Sequence, residues 1–479
     1  MIPIAFKELA FTSFVLLFYS QVVGLPAAYA SAALFIALVV DSVSDPLVGA
    51  FSDNFSHRLG RRHPLMYAAC VPMALALWAL FSPPQASDTA LFVWLLVTAV
   101  ATRFAFTFFA VPWGALFAEL TSDYVERSEL LAYRFAVGLL GGFLLTIFIW
   151  QWVFVGTPDE SQGQLIRENY STFAWVIAAS VASFGLLTTW LTRDQIPYLP
   201  QPVAKARFNA RLFWGEVKLA AQNREFVILF FAVIASGVVN GTNQALQLYM
   251  NTYFWGMGGD ELRWMAFALF GGVLGFLTVV PIQTRVDKKY VLATCSVSII
   301  FVTAVPVTLR LLEVAPANGN GGLVFLLVGT AFLVAYFGTL GLIMFASMVA
   351  DTVDLQDLQT GRRQEGLFNS AMSFSGKVTT GGGILVTGVL LQYVVGLPEG
   401  ADKDDVDADM IIRLGVLEAY VVPLFNGVWL WLALKYGVTR ERHAEIRRAL
   451  AGREDREYGI DRQKGEGADK GEGEDVAPA

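Results

Sequence analysis

Long apolar runs separated by short polar punctuation occupy almost all of this 479-residue chain. A helix needs about 20 apolar residues to cross the hydrocarbon core of a bilayer. The pattern predicts twelve such helices, at roughly 3–24, 28–52, 64–83, 89–118, 131–155, 171–192, 226–254, 262–283, 290–312, 322–349, 367–396 and 411–435. The first run has no small-residue cleavage site followed by a soluble domain, so it reads as a first span and not as a signal peptide. The longest internal polar stretch, Arg193 to Arg224, leaves six runs on either side. The division expected is therefore a six-helix half over 1–192, a middle loop over 193–225, a second six-helix half over 226–436, and a charged tail over 437–479.

Each half repeats a local pattern. Ala118-Glu119-Leu120-Thr121-Ser122-Asp123, followed by Glu126-Arg127, stands between runs 4 and 5; Met348-Val349-Ala350-Asp351-Thr352-Val353-Asp354, followed by Arg362-Arg363, stands between runs 10 and 11. Charges at matching places in two six-helix halves point to a parallel duplication of the major facilitator kind. The fold class expected is an all-α polytopic membrane protein with twelve transmembrane helices in two halves.

Composition agrees. Hydrophobic residues make up 55% of the chain and charged residues 16%, against about 25% charged in a soluble domain. Phe occurs 37 times and Gly 43 times, both frequent in lipid-embedded helices. The net charge of −7 says little about partners, because the charges gather in loops and tail. With the N-terminus inside, the inner loops before the tail carry 17 Lys and Arg (Lys7 among them) and the outer segments five, which predicts cytoplasmic termini in a cell membrane. No HExxH, CxxC or GxxxxGK[ST] motif is present, and Cys70 and Cys295 lie in different apolar runs. An enzyme, a metal or organic cofactor, a disulfide framework and a nucleic-acid partner are therefore not expected. The basic residues Arg440, Arg442, Arg447 and Arg448 of the tail suit either an anionic lipid surface or a solvated helix.

An ionisable group inside a span costs about 2.5–3.5 kcal/mol on insertion scales and is a functional candidate by default. Run 2 contains Asp41 and Asp45, four residues apart on one helix face, with Ser44 beside them. Two carboxylates this close in low dielectric need a compensating cation. A sodium ion, a shared proton or arginines of other helices would each serve. Run 4 contains Arg103, with Thr107 one turn on; Arg103 suits a counter-charge for the pair, a substrate contact, or a snorkelling side chain. Run 11 sets Ser370, Ser373, Lys377 and Thr380 on one face, and Lys377 there must meet a carboxylate, a substrate anion or a water-filled cavity. Run 7 carries an amide stripe, Asn240, Asn243, Gln244, Gln247 and Asn251, suited either to a hydroxyl-rich substrate or to hydrogen bonds between helices. Gly138 and Gly142 read as a small-residue packing face.

These residues resemble a known family. Asp41-Ser-Val-Ser-Asp45-Pro46-x-x-Gly49-x-x-x-Asp53, followed by Arg58-x-Gly60-Arg61-Arg62-x-Pro64, is similar to the signature of the glycoside–pentoside–hexuronide:cation symporters, typified by melibiose permease. Val111-Pro112-Trp113-Gly114-Ala115-Leu116, Asp123-x-x-Glu126-Arg127 with Tyr133-Arg134, Asn223-Arg224-x-Phe226, and Ala350-Asp351-x-x-Asp354 leading to Glu365-Gly366 extend the likeness from span 2 to span 11. The resemblance implies a cation site at Asp41, Ser44, Asp45 and Thr107. It also matches Lys377 to the family's lysine on span 11 and Arg134 to the arginine opening span 5. Ser44 stands where the permease has an asparagine, which leaves sodium and proton coupling both open. The permease's galactoside-binding carboxylates correspond to Ala110 and Ala5, so galactoside binding of that type is not expected.

The implied function is cation-coupled symport, with Na+ or H+, of a sugar or sugar derivative (a glycoside, oligosaccharide or uronide) by alternating access. The substrate would lie between the halves, against spans 7 and 11, with Trp113, Arg134, Arg103 and Ser373 as further candidates. Ion pairs around Asp53, Arg61, Arg62, Asp123, Arg127, Asp351, Asp354 and Arg363 would latch the inner face. A lysolipid-like amphiphile is the alternative substrate and a non-transporting sensor a lesser reading. The chain is expected to work as a monomer within the lipid bilayer.

Overall fold

The structure, a computed structural model, describes residues 2–55, 57–121, 123–199, 218–361, 365–400 and 406–453. Among these, twelve helical spans are long and apolar enough to cross a membrane: Ile2–Val23, Ala27–Asn54, His63–Leu80, Asp88–Phe117, Ala132–Val153, Arg167–Leu191, Arg224–Phe254, Gly259–Gln283, Lys288–Leu311, Gly321–Thr360, Ser370–Val395 and Ala408–Leu434. They are numbered 1 to 12 below. No strand occurs among the described residues, as lipid requires: a spanning segment must satisfy its own backbone.

Boundaries differ from the hydropathy pattern where charge and helix part company. Span 10 continues past the expected 349 to Thr360, 40 residues in all, and ends on Gly361 in the left-handed region at φ 69°. At 1.5 Å per residue it is about 60 Å long, so its last turns carry Asp351, Asp354 and Asp357 clear of the hydrocarbon. Span 8 opens with a short helix, Gly259–Leu262, and a 3-10 stretch, Arg263–Ala268, before its regular helix begins.

Alternating spans bring both ends of the described chain to one face, here the terminal face; the opposite face is the far face. Spans 1, 5, 7 and 11 each reach the far face through a π-helical turn, at Phe18–Val23, Ile149–Val153, Met250–Phe254 and Leu390–Val395. Spans 1 and 7 hold the same place in their halves, as do spans 5 and 11. The wide turns thus repeat with the duplication read from sequence.

These turns also hold the halves together. Ser20 and Tyr249 hydroxyls are 2.6 Å apart, and Tyr253 Oη donates to Gln21 Oε1 at 2.9 Å. Gln162 and Gln164, in the connection between spans 5 and 6, donate to the main-chain oxygens of Thr252 (2.7 Å), at the end of span 7, and of Met257 (2.9 Å), just beyond it. Deeper, span 11 packs against spans 2 and 7 through backbone surfaces. A Cβ on Gly241 would lie 2.1 Å from the carbonyl oxygen of Thr380, and one on Gly383 would lie 2.2 Å from that of Val238. Gly142, by contrast, has nothing within 4 Å of a built Cβ, so it does not form the packing face expected of it.

The tail begins as neither a lipid-lying nor a freely solvated helix. Residues 440–453 are helical and dock on the terminal face of the second half. Ile446 is buried there, His443 Nε2 lies 3.3 Å from Asp351 and 3.4 Å from Asp354, and Arg440 Nη1 donates to the main-chain oxygen of Thr284.

Forcing a side chain between spans 7 and 11 should cost what overpacking usually costs, about 1–3 kcal/mol. Gly241→Leu is expected to lower the melting temperature of the detergent-purified protein by several degrees, and Gly142→Leu to leave it unchanged.

Candidate functional site

The residues that chemistry singles out meet at mid-membrane. Span 2 brings Asp41 and Asp45 onto one face, one helical turn apart, and span 4 sets Thr107 against both. Thr107 Oγ1 lies 3.1 Å from Asp41 Oδ1, 3.0 Å from Asp45 Oδ1 and 3.1 Å from the main-chain oxygen of Arg103. One hydroxyl proton serves only one of these three acceptors.

Two basic groups face the same carboxylates from different helices. Lys377 Nζ, on span 11, donates to Asp41 Oδ2 at 3.1 Å and closely to Asp45 Oδ2. Arg103 Nη1, on span 4, is 3.6 Å from Asp41 Oδ2. The Arg103 guanidinium lies 4.4 Å from the centroid of the Phe11 ring, and its Nε is buried without an acceptor. Of the three roles open to Arg103 in the sequence, counter-charge to the pair is the one the geometry shows, and snorkelling is excluded by burial.

Exposure along the cluster is graded. The Asp41 side chain is 6% exposed, Asp45 32% and Lys377 38%, and Ser370 and Ser373, further toward the terminal face, are exposed. Ionic and hydroxyl groups facing acyl chains are expensive, so this gradient marks a wetted path from the terminal face to the carboxylates. The amide stripe on span 7 behaves alike. Asn240 and Gln247 are exposed, Asn243, Gln244 and Asn251 half-buried, and Gln244 Nε2 donates to Asn240 Oδ1 at 3.1 Å.

Other expected residues stand elsewhere or meet other partners. Ser44 turns its hydroxyl to the main-chain oxygen of Asp41 (3.0 Å) and not to the carboxylates. Arg134 lays its guanidinium on the Trp113 ring, 4.2 Å from the centroid, and on Phe117 at 5.1 Å. One aromatic surface expected to meet substrate therefore already carries a cation. At the terminal face, Arg62 pairs with Asp53 at 2.7 Å, and Arg61 and Arg62 both reach Glu119, at 2.6 and 2.8 Å. Asp123 accepts the backbone N–H of Glu126 (2.9 Å), capping the helix that leads into span 5. Asp351 pairs with Lys288 at 2.5 Å and with His443, and Asp354 with His443 and Arg447. Each of these pairs lies within one half or joins the second half to the tail docked on it. Arg363 and the Arg127 side chain lie outside what the structure describes.

Sequence reasoning missed four groups. Glu119, Lys288 and His443 belong to partners far apart in the chain, and no local spacing announces them. Lys7, counted above as a loop charge, lies inside span 1 with its ammonium 5.8 Å from the Phe106 ring, paired to Glu8 at 2.7 Å. Its nearness to the N-terminus disguised it.

Comparison with known proteins agrees with this architecture. A family model described as MFS/sugar transport protein matches residues 1–440. An uncharacterised symporter of Synechocystis sp. is 26% identical, the match covering 92% of this chain and 93% of that one. A putative glycoside/cation symporter of Escherichia coli is 26% identical over 90% of this chain and 89% of its own. Among solved structures, a D-xylose–proton symporter superposes with a TM-score of 0.57 at 14% identity, covering 88% of this chain and 94% of that one. The chain is a multi-pass membrane protein of the major facilitator fold. It belongs to the MFS/sugar transport protein family, that of the glycoside–pentoside–hexuronide:cation symporters.

Removing one partner of a buried ion pair costs about 3–5 kcal/mol, because the other charge is left uncompensated; Lys377, partly exposed, belongs at the lower end. Lys377→Ala is expected to lower the melting temperature by several degrees. Adding Asp45→Asn should recover part of that loss, while adding Asp53→Asn should not.

Proposed function

We propose that this protein is a secondary active transporter of a cell membrane, with both termini cytoplasmic, that couples entry of Na+ or H+ to entry of a sugar or sugar derivative. The observation that carries this reading is the ion cluster itself. Asp41, Asp45 and Thr107 belong to one half and Lys377 to the other, so the cluster's charge balance depends on how the halves stand. A cation or proton that takes the place of Lys377 on the carboxylates frees the halves to rock about the site, which is what alternating access requires. Each cation carried inward gains about 2.3 kcal/mol per 100 mV of membrane potential. The E. coli relative named as a putative glycoside/cation symporter supports the same pairing of ion and substrate class.

For the substrate, the amide face of span 7 and the hydroxyls of Ser370 and Ser373 on span 11 offer donors and acceptors along the wetted path, as a polyhydroxylated ring needs. Of the three surroundings open to Lys377 in the sequence, a carboxylate, a substrate anion or a water-filled cavity, the first is occupied: its ammonium is engaged by Asp41 and Asp45. Arg134 is the better anion receptor. Its guanidinium rests on Trp113 and Phe117, which leaves a planar fork suited to a carboxylate. A sugar bearing an acidic group, such as a uronide, therefore fits better than a neutral one. The protein is taken to act as a monomer, without a cofactor.

The test is uptake into proteoliposomes of radiolabelled monosaccharides, methyl glycosides, glucuronides and lysolipids under separately imposed Na+ and H+ gradients. Gradient-driven accumulation of a sugar compound, lost in Asp45→Asn, is expected. Arg134→Ala should weaken glucuronide uptake at least tenfold. Accumulation of lysolipid alone would overturn the sugar reading, and movement indifferent to both gradients would overturn coupling.

A further inference from the structure

We propose that a cavity at the far face of the second half holds the head group of a zwitterionic phospholipid, with Arg310 taking the phosphodiester and Glu313 the ammonium.

The cavity, of about 590 Å³, lies where spans 7 and 9 end and span 12 begins, and that size is within the about 300–1,000 Å³ usual for small-ligand sites. All of its walls belong to the second half, so it stands apart from the carboxylate cluster. Phe254, Ile411 and Ile412 give it apolar walls; Arg310 and Glu313 are its charged groups, with the Asn318 amide in the same lining.

Arg310 stands in the last turn of span 9. Its guanidinium lies 5.3 Å from the centroid of the Trp255 ring, and Nη2 donates to Asn318 Oδ1 at 2.6 Å. These neighbours orient the fork without neutralising it, for among the described residues no carboxylate forms an ion pair with Arg310. Arg263, at the same face and beside the Trp264 ring, is by contrast matched to Asp260 at 3.4 Å. An oriented planar guanidinium with its charge unmatched suits a phosphodiester.

Glu313 is the one non-glycine among the described residues with a positive φ, 58°. Just past the end of a helix, glycine is the usual occupant of that left-handed region. A glutamate there carries its carboxylate at a backbone cost, and such an outlier points to a use for the side chain. It is exposed and forms no ion pair among the described residues. One guanidinium and one carboxylate in a single cavity match a ligand that carries both signs, whereas a simple anion on Arg310 would face Glu313.

Depth and surroundings identify the source of that ligand as the bilayer. The end of span 9 and the start of span 12 lie where hydrocarbon gives way to head groups. Toward the membrane centre, the Thr308 and Tyr420 hydroxyls join spans 9 and 12 at 2.7 Å. Tyr420, Val421 and Leu424 continue the seam as an exposed apolar surface. An acyl chain leaving the cavity has that surface to lie on; a soluble phosphoamine has no use for it.

The experiment is native mass spectrometry of the full-length protein, delipidated in detergent and offered dioleoyl-phosphatidylethanolamine, dioleoyl-phosphatidylglycerol or soluble phosphoethanolamine in turn. Wild type is expected to retain one phosphatidylethanolamine, in preference to phosphatidylglycerol by about fivefold or more, under activation that strips other lipid. Arg310→Gln should lower that occupancy about tenfold or more, since it removes the charge-assisted contact. Arg263→Gln should leave it unchanged. Glu313→Gln should keep lipid bound but abolish the preference between the two head groups. Equal occupancy in Arg310→Gln and wild type, or no head-group preference in wild type, overturns the proposal. Soluble phosphoethanolamine bound as tightly as the lipid overturns the bilayer as its source. Glu313→Gln, an exposed substitution, decides even if Arg310→Gln does not fold, because an unchanged preference overturns the pairing with the ammonium. The readout is binding alone, so it is independent of which compound the protein transports.

Discussion

Everything in this protein turns on an ionic cluster that spans the boundary between its two six-helix halves at the middle of the membrane. Two carboxylates one helical turn apart cannot stay charged in that medium unaided. Lys377 is supplied by span 11 and Arg103 by span 4, so half of the compensation comes from the other side of the boundary. The packing around the cluster serves this arrangement. Gly241 and Gly383 let spans 7 and 11 touch backbone to backbone, and the Ser20–Tyr249 and Tyr253–Gln21 contacts close the far face above it. The ammonium of Lys377 is thereby brought within 3.1 Å of Asp41.

The closure of the far face has a different chemical character from the cluster. It is built from neutral hydrogen bonds: tyrosine to serine, tyrosine to glutamine, and glutamine amides to main-chain carbonyls. Such contacts are worth about 1 kcal/mol each when formed, because water replaces them when they part. On the proposed alternating-access reading, a seal of exchangeable neutral bonds opens at less cost than ion pairs whose separation strands charge. The ion pairs of the terminal face follow the same economy. Asp53 with Arg62, Glu119 with Arg61 and Arg62, and Asp351 with Lys288 each stay within one half, so none of these pairs crosses the boundary between the halves.

How much of this is legible in the sequence depends on whether the constraint is local. The spans are legible because lipid imposes a length and forbids unsatisfied backbone, and that rule acts on consecutive residues. Asp41, Asp45 and Thr107 are legible for a related reason, since an i, i+4 carboxylate pair in an apolar run is costly enough to demand an explanation by itself. The limits of span 10 are not legible, because hydropathy stops at the edge of the lipid while the helix continues to Gly361. Nor are Glu119, Lys288 and His443, whose partners stand 57 to 58, 63 and 89 to 92 positions away in the chain and meet only through the tertiary fold. Lys7 and Glu8 look like an ordinary start of chain, and only the depth of span 1 shows them to be charges within the bundle.

The pairing of Arg103 with Asp41 illustrates why residue type alone leaves function open. An arginine in the middle of span 4 suits a counter-charge, a substrate contact or a snorkelling side chain equally well until its neighbours are known. Burial against Phe11 removes the last of these, and the approach to Asp41 consumes the charge that a substrate anion would need. The same reasoning places the proposed anion-binding role on Arg134, which rests on aromatic faces, and not on Lys377, whose ammonium is engaged. In a cavity of low dielectric each charge can be used once. The assignment of roles is then a matter of finding which charges the protein has already matched to one another, and which remain unmatched.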